Sequence, residues 1–207
     1  KDLRGAIVGT EICEDLWVPN PPSTSHALQG ATLIVNLSAS NETVGKDSYR
    51  EMLVTSTSGR LVSGYIYASA GEGESTQDLV FGGHNLICEN GTVLAQSERF
   101  QTGNLYADVD LNRIRHERRK MNTFYPGNLN YHRVSFEMEI EETNLHRTFS
   151  MTPFVPGDKK QREKRCEDIL SIQAEGLKKR LQHTQAKSAV IGLSGGLDST
   201  LALLVTV

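Results

Sequence analysis

Two short runs in this chain hold residues that could do chemistry. The first centres on Cys13, which follows Gly9-Thr10-Glu11-Ile12 and precedes Glu14-Asp15-Leu16-Trp17. The cysteine stands where an apolar strand ends. Two acids that resist burial come next, followed by a loop containing Pro19, Pro21 and Pro22. A nucleophile at such a strand end can expose its sulfur while the backbone N–H of Glu14 turns toward a developing oxyanion. A lone cysteine is as readily a small buried hydrophobe, and these features by themselves leave both readings open. The second run is Ser194-Gly195-Gly196-Leu197-Asp198-Ser199, directly after the apolar Ala189-Val190-Ile191. A strand that ends in Ser-Gly-Gly and turns into a helix presents successive backbone N–H groups to one point, with no Cβ at the glycines to crowd an incoming oxygen. The helix N-terminus adds partial positive charge, so the turn suits a phosphate. Ser194 and Ser199 can donate hydroxyls to it. Asp198 beside an anion makes sense with a Mg²⁺ between them. No lysine follows as in a P-loop, and the Gly-x-Gly-x-x-Gly spacing is absent.

The elements that must position these runs can be read from periodicity. Residues 6–12 and 32–37 are short apolar runs rich in β-branched residues, which predicts buried strands. Residues 25–30 leave room only for a short helix, and residues 47–61 for a longer one. Residues 62–68 alternate about Tyr65 and Tyr67, predicting a strand. Residues 86–89 and 92–95 flank Asn90-Gly91, a strong signal for a tight antiparallel hairpin, and residues 106–110 read as a further strand. Asp158 stands three residues before Gln161 in capping-box spacing, and Cys166, Leu170, Ala174, Leu177 and Leu181 recur at helical intervals. Residues 189–191 then predict a strand and residues 200 onward a helix. The expectation is an α/β chain: a first domain at 1–120, a connecting arm at 121–157, and the start of a second α/β domain at 158–207.

The 207 residues carry 22 basic and 25 acidic side chains, a net charge of −3 that provides no global field to gather nucleic acid. Arg113, Arg115, Arg118, Arg119 and Lys120 cluster without interleaved aromatics, which reads as a solvated helix face or subunit contact. Cys13, Cys88 and Cys166 show no disulfide spacing, and no apolar run approaches the length of a membrane span. The expected setting is therefore the reducing cytoplasm. Cys88 and Cys166 read as structural, and the six histidines form no zinc motif. The acidic residues Glu72, Glu74 and Asp78 border either the Cys13 site or a neighbouring subunit. The chain opens on Lys1 rather than Met and stops within an apolar helical run at 201–205, as expected of a segment of a longer polypeptide.

Residues 194–199 resemble the pyrophosphate-binding loop of the N-type ATP pyrophosphatases, which adenylate a substrate and release pyrophosphate. The stretch from Glu11 to Trp17 resembles the nucleophile segment of nitrilase-superfamily amidases, in particular the glutaminase domain of the glutamine-dependent NAD synthetase family. Further similarity to that family lies in Asn36-Leu37-Ser38-Ala39-Ser40, in residues 70–76, in Asn90-Gly91, in Glu98-Arg99-Phe100, in Pro153-Phe154-Val155-Pro156, and in the helical strings 165–169 and 176–181. The resemblance covers nearly the whole chain. It implies the C-terminal part of a nitrilase-like αββα sandwich, then a linker and the first helix-strand-loop-helix of a Rossmann-like ATP pyrophosphatase domain.

The implied activity is amidation of deamido-NAD to NAD⁺. Cys13 releases ammonia from glutamine through a thioester, and ATP is spent to AMP and pyrophosphate with Mg²⁺. The resemblance makes Cys13 the nucleophile and the Glu14 N–H part of the oxyanion site. Ser40 and Trp17 line the glutamine pocket; Ser194, Gly195, Gly196, Asp198 and Ser199 hold ATP, with Asp198 on the metal. It further implies a homo-oligomer acting on small molecules, with no nucleic acid and no membrane. The family's glutamate base and lysine lie upstream of the cysteine and have no match here, Lys1 being too close to the strand, so the isolated segment is expected to be inactive. Other readings are a stand-alone nitrilase-type amidase, which leaves residues 194–199 without a use, another adenylating amidotransferase, and a non-catalytic assembly scaffold.

Overall fold

A computed structural model describes residues 6–74, 77–125, 130–139, 141–142 and 144–207. Lys1, Ser75 and Thr76, named above, lie outside the described residues. The chain divides into two units, Lys1–Arg147 and Thr148–Val207.

The first unit is built on a five-stranded sheet, β1 Val8–Ile12, β2 Leu33–Ser38, β3 Gly64–Ser69, β4 Leu86–Glu89 and β5 Thr92–Gln96, paired in sequence order. β1, β2 and β3 run parallel, and β4 and β5 are antiparallel. Parallel neighbours need crossovers, supplied by α1 Pro22–Leu28 and α2 Lys46–Leu61. Because β1, β2 and β3 advance in one direction and such crossovers are right-handed, both helices fall on the same sheet face. The hairpin forms where Asn90-Gly91 predicts it, with both residues at positive φ (46° and 82°). α3 Leu111–Lys120 closes the unit, its first turn capped by the Asp110 side chain on the Arg113 N–H. This mixed sheet with flanking helices is the fold the sequence leads one to expect.

Register explains an unusual distribution of polarity. Ile34 pairs with Tyr65, and Asn36 pairs with both Glu11 and Tyr67, so these side chains share one face and are buried beneath the helices. On the opposite face Val8, Ile12 and Leu37 are exposed. The polar groups under the helices are satisfied locally. The Glu11 carboxylate accepts from the Ser23 N–H in the first turn of α1 (2.8 Å) and from the Tyr65 hydroxyl. Burial, followed by the Glu11 charge, pushes the Tyr65 hydroxyl far above its ordinary value, so it remains a donor.

Three sequence expectations are corrected. Residues 106–110 form no strand: Tyr106 is exposed, and Asp110 spends its N–H on Glu89 Oε2 (2.6 Å) and its side chain on the α3 cap. Arg118 is not on a solvated face. Half-buried, it donates to the carbonyls of Leu61, Val62 and Ala27 at the ends of α2 and α1, and burial pulls its pKa down to about 10. That guanidinium satisfies orphan C-terminal carbonyls and meets the negative ends of two helices. Residues 189–191 form no strand either. No other strand lies in the second unit among the described residues, and a lone strand has nowhere to place its backbone hydrogen bonds.

Beyond α3 the described residues to 147 are irregular and lie along the first unit. Tyr131 meets His26 (2.8 Å), Arg133 reaches the Gln29 carbonyl, and Arg147 clasps the buried Glu89 carboxylate through two nitrogens (2.8 and 2.9 Å). The second unit contains α4 Lys159–Thr184, capped by Asp158 on the Gln161 N–H, and α5 Leu197–Thr206. Ala174, Leu177 and Leu181 of the predicted stripe are half-buried and line a hollow with Val205 and Val207, and Cys166 is exposed.

Candidate active site

Cys13 sits at the C-terminal end of β1, where the strand turns into a single 3₁₀ turn, Cys13–Leu16. Its φ is +49°, left-handed backbone that a non-glycine residue adopts only when its surroundings force it. The force comes from Asn36 on the adjacent parallel strand. The Cys13 N–H donates to Asn36 Oδ1 (3.1 Å), and Asn36 Nδ2 donates back to the Cys13 carbonyl (3.4 Å). Asn36 is fully buried, so this fork is a fixed part of the sheet. Asp15 holds the preceding residue by accepting the Ile12 N–H (2.8 Å). The result is a half-buried thiol on a sharp strand-to-turn bend, with the Glu14 N–H in the first turn after it.

The sulfur has a specific neighbour. Ser38, at the end of β2, donates its hydroxyl to Cys13 Sγ (3.5 Å) and accepts from the Tyr67 hydroxyl (2.6 Å). A run of donors thus passes from β3 through β2 to the thiol. Lys46 at the start of α2 brings positive charge close enough to couple to Cys13. Burial, then Arg50, lowers its pKa, while Glu42 and Cys13 pull it back up. Its ammonium donates to Asn41 Oδ1 (2.8 Å) and lies 5.4 Å from the centre of the Trp17 ring, which packs against Tyr49. The rim beside Cys13 is therefore Trp17, Lys46 and Asn41.

Of the residues singled out from sequence, Cys13, Glu14 and Trp17 fall on one bend. Ser40 is buried in the loop between β2 and α2. Sequence reasoning quoted Asn36 and Ser38 only within the string 36–40, without a role for either, and missed Lys46. Asn36 and Ser38 were legible only as part of a polar string in an otherwise apolar strand. Cys88 is buried beside Thr55, and burial raises its thiol pKa.

In the second unit Ser194, Gly195, Gly196, Asp198 and Ser199 do lie on one turn at the start of α5. Gly195 has φ +81°, and no atom lies within 4 Å of where a Cβ would stand. The two serine hydroxyls meet at 3.1 Å, and the Gly196 N–H points to Ser194 Oγ (3.4 Å). Asp198 is exposed in the first turn of α5. Among the described residues no three His, Cys, Asp or Glu side chains cluster for a metal. A single carboxylate beside an open glycine turn fits a Mg²⁺ that takes its remaining ligands from phosphate and water.

Residues 1–119, which carry the sheet and the bend at Cys13, match the carbon-nitrogen hydrolase family. The chain belongs to the carbon-nitrogen hydrolase family. Residues 169–207 match the NAD synthase family. Over 99% of its length the chain is 43% identical to a glutamine-dependent NAD(+) synthetase of Mycobacterium leprae, covering 32% of that protein. Against the corresponding protein of Aquifex aeolicus it is 27% identical over its full length, covering 35%. A crystal structure of a glutamine-dependent NAD(+) synthetase from Cytophaga hutchinsonii aligns with 51% of this chain and 16% of that one, at 31% identity and a TM-score of 0.42. The chain spans about a third of the length of the curated relatives it matches. No described helix is long and apolar enough to cross a membrane.

Proposed function

We propose that this chain contributes the glutamine-hydrolysing site and the ATP phosphate loop of an enzyme that amidates deamido-NAD to NAD⁺. The observation that carries the reading is the Asn36-pinned bend at Cys13, on the same polypeptide as the Ser-Gly-Gly-Leu-Asp-Ser turn. Cys13 Sγ attacks the carboxamide carbon of glutamine. The new C–S bond gives a tetrahedral oxyanion, whose collapse breaks the C–N bond, and the nitrogen leaves as ammonia with the proton that the thiol gave up. Water then cleaves the thioester to glutamate and regenerates the thiol. The Glu14 N–H steadies the oxyanion, Ser38 holds the sulfur, and Ser40, Trp17 and Lys46 line the glutamine pocket.

In the second unit Ser194, Gly195, Gly196 and Ser199 hold the ATP phosphates, and Asp198 would hold Mg²⁺, which neutralises phosphate charge when bound. ATP supplies the adenylate that ammonia attacks, with AMP and pyrophosphate as products. We assign the protein to the cytoplasm as a homo-oligomer with no nucleic-acid partner.

The test uses the full-length polypeptide. Cys13→Ala is expected to abolish NAD⁺ formation from glutamine and to leave formation from ammonia largely intact. Equal loss with both nitrogen donors would contradict the assignment.

A further inference from the structure

Beneath the loop that carries Ser40 and Asn41, and the start of α2 at Lys46, lies a buried chain of polar groups that the proposed chemistry does not use. Arg50, in α2, is fully buried. Its Nη1 donates to Glu42 Oε2 (3.1 Å) and to His84 Nδ1 (2.9 Å), while its Nε and Nη2 have no hydrogen-bond partner among the described residues. The tether of this buried cation thus runs through one nitrogen. Glu42, whose side chain is buried, lies 3.7 Å from Arg99, which in turn meets Asp47 (3.3 Å). His84 Nε2 lies 2.7 Å from the Gln96 side-chain amide.

Proton counting fixes the state of the histidine. Arginine only donates, so Nδ1 must accept and carries no proton. The ring proton is then on Nε2, which faces the Gln96 side-chain amide, itself in contact with Glu51 Oε2 (3.2 Å). Burial, then Arg50, lowers the His84 pKa below its ordinary value of 6.5, against the opposing pull of Glu42, Asp47 and Glu51. Arg99 and Glu98 line the polar hollow that His84 also borders.

Glu42 connects this chain to the site. It belongs to the loop between β2 and α2, where its N–H donates to the Val80 carbonyl (2.6 Å) and Asn41 bridges Phe81. A Cβ on Gly82 would run into the Glu42 carboxylate. Arg50 also lies over the Tyr67 ring (5.9 Å), whose hydroxyl feeds Ser38 and the thiol.

We propose that Glu42, Arg50 and neutral His84 form a positioning relay that sets how Ser40, Asn41 and Lys46 stand against Cys13, and so sets affinity for the amide donor. The relay rests on the amidase reading of Cys13. Protonation of His84 would place an N–H against the guanidinium, so the relay fails on the acid side.

The test is steady-state kinetics of the full-length enzyme with glutamine and with ammonia, across pH. His84→Leu removes the acceptor and is expected to raise KM for glutamine about tenfold, the cost of roughly one hydrogen bond to a charged group. Its kcat with glutamine and its ammonia-supported rate should stay within about threefold of wild type. His84→Asn offers an amide oxygen that cannot titrate. It should restore KM and remove the rise in KM expected of wild type as pH falls below 6.5. Gly82→Ala should reproduce the rise in KM with the histidine intact, which covers the case in which His84→Leu does not fold. An unchanged KM in both His84→Leu and Gly82→Ala would overturn the relay, as would an acid rise in KM that survives in His84→Asn. If Cys13→Ala still turns over glutamine, the amidase reading falls. If Cys13→Ala is dead with glutamine while His84→Leu and Gly82→Ala keep their KM, only the relay falls.

Discussion

Asn36→Ala tests whether the bend at Cys13 is imposed rather than intrinsic. The left-handed backbone of a residue such as Cys13 costs about 1–2 kcal/mol relative to ordinary conformations. Asn36 opposes that cost with hydrogen bonds of 3.1 and 3.4 Å to the N–H and carbonyl of Cys13. Each bond contributes about 1 kcal/mol net, so removing both erases roughly 2 kcal/mol and leaves the strained state at or above its relaxed alternatives. A relaxed bend moves the sulfur by ~1 Å or more, a displacement that can cost ~100-fold in rate. The expected result is a fall of about 100-fold in kcat/KM for glutamine, with ammonia-supported synthesis unchanged and serving as the control for folding. Retention of kcat/KM within about threefold, in a variant that keeps its ammonia-supported rate, would show that the fork does not hold the nucleophile.

Asp198→Ala should show the opposite asymmetry, reducing ATP-dependent turnover with glutamine and ammonia alike; normal rates with both donors at limiting Mg²⁺ would defeat a metal role. Glu11→Ala removes the acceptor of the Ser23 N–H and the Tyr65 hydroxyl, both buried, and should lower unfolding free energy in urea by about 2–4 kcal/mol. An unchanged urea midpoint would mean that those donors find other partners.

Cys13 and the Ser194–Ser199 turn were legible as candidate sites because each is a local string: a cysteine between an apolar strand and two acids, and glycines between serines at a helix start. What surrounds Cys13 was not, since Asn36, Ser38 and Tyr67 reach it only through the register of three parallel strands, and register is a property of pairing rather than of any one segment. The strands, the hairpin and α2 followed their periodicity to within a few residues. Residues 106–110 and 189–191 did not, because a strand-like run becomes a strand only beside a neighbour with backbone groups to pair. Arg118 sat unremarkably in a basic cluster; its role depends on two helix ends distant in sequence.

The central claim is that Cys13 is the group that forms a covalent bond with the amide donor. An electrophilic analogue of glutamine, incubated with the full-length enzyme and followed by peptide mass spectrometry, tests it directly. The account predicts stoichiometric labelling of Cys13, protection by glutamine, and no label on buried Cys88 or exposed Cys166. Labelling that bypasses Cys13, or that glutamine does not suppress, would contradict it.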